Sequence, residues 1–297
     1  MPIFYIGRTY CNRNLIVSSF NPKIIGILRT KDDTPTENVV KAFEIANKNS
    51  EVAIEITSNS KNWQEILKQS LKKNLLVGVG SIKNSVLAKE AIKIGAKFLV
   101  CPGVFVDAIE EANKQNIHII PGVYLEKESV IVKDYKLKNQ KFFPANAQTD
   151  EEFYKAIKEP FRDEFAELEK KGFKIFPFGV DKPLESAIII TSPTEFYKKY
   201  LDLRKYKEPK QIIIKLPFGK CGFERLKDMS QLGQVWGINT YAVGGINHEN
   251  MNTVIKDFNA YGICPGKGFF DPEAIRLGNF SKIENDINRY FNTFITC

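Results

Sequence analysis

Short apolar runs recur along the chain between stretches patterned for helices. The first five are Ile24–Leu28, Val52–Ile56, Leu75–Val79, Phe98–Cys101 and Ile117–Ile120. After a gap come Ile212–Leu216, Asn239–Val243 and Ala260–Cys264. Each holds four to six residues and is apolar on both faces, as a parallel strand covered by helices requires. Between them lie helical patterns such as Thr36–Ala46 and Ser85–Ile94, the second followed by Gly95 at a C-cap position. Eight strands alternating with helices predict an α/β chain folded as a (β/α)₈ TIM barrel. A doubly wound open sheet is the alternative.

Two regions fall outside the repeat. Residues 1–23 hold two short β-like runs, Ile3–Ile6 and Asn14–Val17, which predict a hairpin plugging the barrel bottom. Residues 123–189 are too long for a barrel loop. They read as an insertion after strand five, at the catalytic face, with a charged helix over Asp163–Lys171 ended by Gly172. The expected organisation is one barrel spanning 1–297 with this insertion inside it.

Composition narrows the class. The chain has 297 residues, 43% of them hydrophobic, enough for a large core. No apolar stretch is long enough to span a bilayer, and the N-terminus lacks a signal peptide's apolar core, so no membrane role and a cytoplasmic setting are expected. Five scattered cysteines form no CxxC pair, and two histidines are too few for a His-rich metal centre or a His-dependent triad. The net charge of +8 is lysine spread among Glu and Asp, without a basic stripe interleaved with aromatics. Small anions suit that surface better than nucleic acid.

In such barrels chemistry sits at the C-terminal ends of the strands. Three ends carry glycine motifs: Gly78-Val79-Gly80-Ser81, Val243-Gly244-Gly245-Ile246 and Pro265-Gly266-Lys267-Gly268. Glycines let backbone N–H groups approach an anion, and the last two motifs follow strands seven and eight, the usual phosphate position. Two charges interrupt apolar runs, Glu55 and Lys215. A buried charge costs several kcal/mol unless paired. They fit a structural salt bridge, or a lysine nucleophile beside a carboxylate acid/base, equally well.

The motifs, taken in order, resemble one family. Ile54-Glu55-Ile56-Thr57, Gly78-Val79-Gly80-Ser81, Gly95–Gly103 and Ile119-Ile120-Pro121-Gly122 are similar to motifs of the 2-keto-3-deoxy-6-phosphogluconate (KDPG) / 4-hydroxy-2-oxoglutarate (KHG) aldolases. Thr191–Glu195, Lys215–Gly219, Gly244–Asn247 and Phe270–Phe280 resemble the family's second half. The resemblance implies a class I aldolase, a carbon–carbon lyase that cleaves a 4-hydroxy-2-keto acid, with or without a phosphate, to pyruvate and an aldehyde. It implies a lysine Schiff base, no metal or other cofactor, and the trimer usual in the family. Three segments imitate the lysine motif: Lys141-Phe142-Phe143-Pro144-Ala145, Lys174-Ile175-Phe176-Pro177 and Lys215. Lys141 is closest by letters, but Lys215 alone follows an apolar run and a Pro-Thr-Glu helix start, 29 positions before Gly244, and is the expected nucleophile.

By the same resemblance Glu55 moves protons, Ser81 meets the pyruvyl carboxylate, Pro102 lines the pocket and Arg29 meets an anionic group. Gly244, Gly245, Gly266 and Gly268 are the expected substrate contacts at strands seven and eight. Departures fall on substrate contacts: Asn59 for an arginine, Val243 for a threonine, and Lys267 where the family has glycine–serine chemistry. These departures keep open an isomerase or epimerase on the same barrel, or a non-catalytic sugar-phosphate-binding protein.

Overall fold

A computed structural model describes residues 20–178, 187–206, 210–217 and 219–295. The hairpin expected at the N-terminus lies almost wholly outside the described residues.

The strands that form the barrel are β1 (Ile24–Leu28), β2 (Val52–Thr57), β3 (Val77–Gly80), β4 (Phe98–Val100), β5 (His118–Ile120), β6 (Gly122–Val123) and β7 (Asn139–Phe142). Later in the chain β11 (Asn239–Val243) and β12 (Gly262–Cys264) complete it. The sheet is parallel, in the order β5-β4-β3-β2-β1-β12-β11-β7-β6. Its two ends belong to one interrupted strand. Pro121 separates β5, which pairs with β4, from β6, which pairs with β7. Pro121 lacks an N–H, but its carbonyl accepts from Lys141 N at 2.9 Å, so the ladder closes around it. The result is an eight-stranded barrel.

Helices cover its outside, among them α2 (Trp63–Lys72), α4 (Val106–Lys114), α5 (Glu126–Asp134), α10 (Met251–Lys256) and α11 (Pro272–Arg276). The expected helices appear as α1 (Thr36–Ala46) and α3 (Ser85–Ile94). Asn84 caps α3 through its side chain, and Gly95 ends it at φ +110°, a conformation that favours glycine. Alternation along the strands sends Ile25, Ala53, Phe98, Val100, Ile120, Tyr241, Val243 and Cys264 inward as a separate apolar cluster. Phe20 closes the bottom, its ring 4.7 Å from Phe98 and 5.3 Å from His118. The C-terminal helix α12 (Phe280–Ile295) lies beside α1. Among the described residues, no helix is long and apolar enough to cross a membrane.

Two expectations need correction. Seven of the eight sequence-read strands are in the barrel, but Ile212–Leu216 is not. The sixth position is filled by β7, Asn-Gln-Lys-Phe, which pairs with β11 and β6. A polar strand can be buried there because its side chains are hydrogen-bonded. Gln140 Oε1 accepts from Ser129 Oγ at 2.9 Å, and its Nε2 donates to Thr240 Oγ1 at 3.0 Å. Asn139 Oδ1 accepts from Asn239 Nδ2 at 3.1 Å.

The extra segment expected over 123–189 is therefore displaced along the chain. Residues 139–142 belong to the barrel, and the additional elements follow the sixth strand. They are α6 (Asp150–Lys158), α7 (Arg162–Lys170), β8 (Lys174–Pro177), β9 (Ile188–Ile190), α8 (Pro193–Leu203) and β10 (Gln211–Ile214). The three strands form a separate parallel sheet in the order β8-β10-β9. The barrel helix after strand six comes only then, as α9 (Gly222–Val235), which packs on β11.

The added unit is fixed to the barrel mouth. Phe153, Phe161, Phe165 and Phe196 are fully buried within it, and Tyr197 meets Phe105 of the barrel at 5.0 Å between centroids. Thr194 Oγ1 accepts from Val104 N, and Ser192 Oγ donates to Glu128 Oε1. Lys83, on the loop after β3, forms a buried ion pair with Glu164 of α7. Both charged groups are shielded from water, so the pair has no solvent to dissociate into.

Candidate active site

The barrel mouth holds a cavity of about 480 Å³, of the size expected for a small-molecule site. Alternation builds its walls. Arg29 follows β1 in phase with the inward residues Ile25 and Ile27, and Glu55 and Thr57 follow Ala53 on β2. Lys141 and Phe143 project inward from β7 and the residue after it. Ser81 and Pro102 come from the loops after β3 and β4. Gly244, Gly245, Gly266 and Gly268 line it from the loops after β11 and β12.

Eight expected site residues thus meet in one place: Arg29, Glu55, Ser81, Pro102, Gly244, Gly245, Gly266 and Gly268. Lys215 is not with them. It directly follows β10 in the added sheet, where its backbone N–H donates to Ile190 O at 3.0 Å. Its Nζ lies 4.7 Å from the centre of the Phe178 ring. The expected pairing of Lys215 with Glu55 across one barrel does not form, because β10 is not a barrel strand. Two lysines line the cavity with Glu55, the buried Lys141 on β7 and the exposed Lys267 on the loop after β12. The Lys141 Nζ stands 5.4 Å from the centre of the Phe143 ring. Lys141 is buried, as is Glu55.

The electrostatics follow from that enclosure. Burial pushes the Glu55 carboxyl above its ordinary range, while the positive charges of Lys141 and Arg29 partly oppose the shift. Among the described residues, Glu55 Oε2 has no hydrogen-bond partner, so one carboxyl oxygen is left for a cavity occupant. Cys264, also on the wall, is held protonated well above the ordinary thiol range by burial.

The glycine motifs divide by role. Gly80 makes room for Glu55: a Cβ there would overlap the carboxylate. That motif therefore shapes the acid rather than forming an open cradle. Ser81 holds a left-handed backbone at φ +58°, and its carbonyl accepts from Ser58 Oγ at 3.1 Å. Gly244 and Gly245 have φ of +99° and +69°. A Cβ on Gly245 would come within 2.5 Å of Asn146 Cβ. The two glycines let the turn after β11 pack against Pro144-Ala145-Asn146, the continuation of the Lys141 strand.

Sequence reasoning placed the extra segment at the catalytic face but named none of the residues it brings to the cavity. Ala156, Glu159 and Pro160, from the end of α6, line the cavity from the added unit. Glu159 forms an ion pair with Arg29, whose Nε also donates to Asn59 Oδ1 at 3.2 Å. The only signal for this wall was the length of the extra segment.

Comparison with known proteins agrees with the motif order. Residues 19–166 match the family model of the KDPG and KHG aldolases. Over this span the chain resembles the KDPG and KHG aldolases. The matched span contains Arg29, Glu55, Ser81, Pro102 and Lys141, and ends within α7 before Lys215 is reached. The KHG/KDPG aldolase of Escherichia coli (strain K12) is 35% identical over 86 residues, 29% of this chain and 40% of the relative. The 2-dehydro-3-deoxy-phosphogluconate aldolase of Dickeya dadantii is 34% identical over 86 residues, with the same coverage. The alignments thus span about two-fifths of these curated relatives. Among solved structures, the KDPG aldolase from Legionella pneumophila, with pyruvate captured as a covalent carbinolamine, gives a TM-score of 0.56 at 16% identity. That match covers 90% of this chain and 93% of the other. The enzyme of Zymomonas mobilis ZM4, solved with 3-phosphoglycerate, gives 0.54 at 16% identity, covering 89% and 91%. These structural matches establish a shared fold.

Proposed function

We propose that the protein is a class I aldolase that cleaves a 4-hydroxy-2-keto acid to pyruvate and an aldehyde, with Lys141 rather than Lys215 forming the Schiff base. The observation that carries this reading is the meeting of buried Lys141 and Glu55 in one cavity at the barrel mouth. The family match and the covalent carbinolamine of the Legionella aldolase support it.

The chemistry follows from the two groups. The Lys141 amine adds to the C2 carbonyl of the keto acid, giving a carbinolamine that loses water to a protonated imine. Glu55 supplies a proton to the departing hydroxyl. The imine then accepts the electron pair of the C3–C4 bond as Glu55 takes the proton of the C4 hydroxyl, which releases the aldehyde. The enamine left behind takes a proton at C3, and water returns pyruvate and free Lys141. A carboxyl raised by burial suits this two-way traffic, because it holds a proton more readily than an exposed glutamate. The substrate carboxylate faces Ser81 and Arg29. The glycine turns after β11 and β12 face the distal end, where a phosphate would sit.

Purified protein supplied with 4-hydroxy-2-oxoglutarate, and separately with KDPG, is expected to release pyruvate, measured by coupled NADH oxidation. Lys141→Arg keeps the charge but cannot sustain the imine cycle. Full pyruvate release by that variant would contradict a Schiff base on Lys141, while no pyruvate release by the wild type would favour an isomerase or epimerase with Glu55 as base.

A further inference from the structure

The added unit places a carboxylate where an enzyme for anionic substrates has its cation. Glu159 is at the C-terminal end of α6 and lines the cavity, and it forms an ion pair with Arg29, the cation at the end of β1. Two further contacts hold it there. Asn59 accepts from Arg29 Nε and donates through Nδ2 to the Glu159 carbonyl at 3.5 Å. Arg162 Nη2 stands 3.5 Å from Glu159 Oε1. Neighbouring Ala156 and Pro160 close the same wall.

The wall does not swing freely. The segment just beyond Glu159 is tied to the barrel by the buried Lys83–Glu164 pair, and Phe161 packs between Phe105 and Phe196. The Glu159 side chain itself is about half exposed and Arg29 about a quarter exposed. An ion pair of that exposure is weak, so a second anion can displace it. The backbone is fixed while the carboxylate is exchangeable.

We propose that Glu159 is a specificity-determining residue that competes with the substrate's anionic group for Arg29. An oxyanion entering the cavity takes the Arg29 guanidinium, and the Glu159 carboxylate turns toward Arg162 and solvent. Every anion therefore binds against an internal competitor, which lowers affinity and raises the concentration at which the site fills. A doubly charged end such as a phosphate meets an added repulsion from Glu159 that a single carboxylate feels less. The substrates favoured are accordingly monoanionic at the Arg29 end. The aldolase reading enters only through the identity of the natural anion.

The test is calorimetric titration of the full-length protein at about pH 8 and fixed ionic strength with two probes, acetate as the monoanion and inorganic phosphate as the dianion. Glu159→Gln is expected to tighten both about two- to fivefold, the worth of one half-exposed ion pair, with the larger gain for phosphate. Glu151→Gln removes the same charge from the same helix outside the cavity, where Glu151 pairs with Lys155, and is expected to change neither affinity. Equal affinities in wild type and Glu159→Gln, or equal gains in the two variants, would overturn the proposal. Failure to release pyruvate from any keto acid would sink the aldolase reading but leave these affinities to stand or fall separately.

Discussion

The Glu55 carboxylate lies so close to Gly80 that a Cβ at position 80 would overlap its Oε1, Cδ and Cγ. The two residues face each other on adjacent strands, where Glu55 pairs in register with Gly78 and Thr57 with Gly80. The glycine is therefore part of how the acid is positioned. Gly80→Ala is expected to push the carboxylate out of place and to lower kcat at least about a hundredfold, the scale of losing a positioned proton carrier. Overpacking should also cost about 1–3 kcal/mol of stability. Urea unfolding and steady-state kinetics measure both. Shortening the acid should restore the fold, so Glu55→Ala combined with Gly80→Ala is expected to be more stable than the sum of the single effects.

Glu55 also links pH to stability. Burial raises its native pKa above the ordinary value of 4.5, so folding takes up a proton between the two values. The contribution of the protonated carboxyl is fully present below about 4.5 and is lost as pH rises through the native value. Glu55→Gln cannot ionise. It is expected to match wild type in melting temperature at acid pH, to exceed it increasingly toward pH 8, and to lose turnover about a hundred- to ten-thousandfold. A melting-temperature difference that does not change with pH would contradict this assignment.

The docking of the added unit rests partly on Lys83 and Glu164, both buried. Lys83→Met leaves the glutamate charge without its partner inside the protein. A loss of about 3–5 kcal/mol is expected by chemical denaturation. Replacing both, with Lys83→Met and Glu164→Leu, should recover most of it, because no buried charge remains.

Much of the barrel was legible because both-face apolar runs mark covered parallel strands, and seven such runs are barrel strands. The eighth was not legible by hydropathy. Asn139 and Gln140 look like loop residues until their partners Asn239, Ser129 and Thr240 are known, and those lie on other elements. The run Ile212-Ile213-Ile214 before Lys215 is a covered strand too, but of the added sheet, and hydropathy alone does not tell two parallel sheets apart. The letters Lys141-Phe142-Phe143-Pro144-Ala145 fall on the sixth barrel strand and its continuation, which brings Lys141 into the cavity with Glu55. Glu55 stood out as a charge inside an apolar run and the four glycines as motifs at strand ends, whereas Arg29, Ser81 and Pro102 were expected from the family resemblance; all of them line the cavity.

Gln140 gives this lesson an experimental form. Gln140→Leu removes both hydrogen-bond partners that make the polar strand tolerable, from Ser129 and to Thr240. It is expected to cost about 1–3 kcal/mol and to reduce kcat through the adjoining Lys141. Adding Ser129→Ala and Thr240→Val should return part of the stability, as read from denaturation midpoints.

The central claim is which lysine carries the chemistry. Incubation with pyruvate and borohydride reduces an imine to a stable adduct, and peptide mass mapping locates it. The adduct is expected on Lys141, absent from Lys141→Ala and undiminished in Lys215→Ala. An adduct on Lys215, or one that survives Lys141→Ala unchanged, would contradict the account.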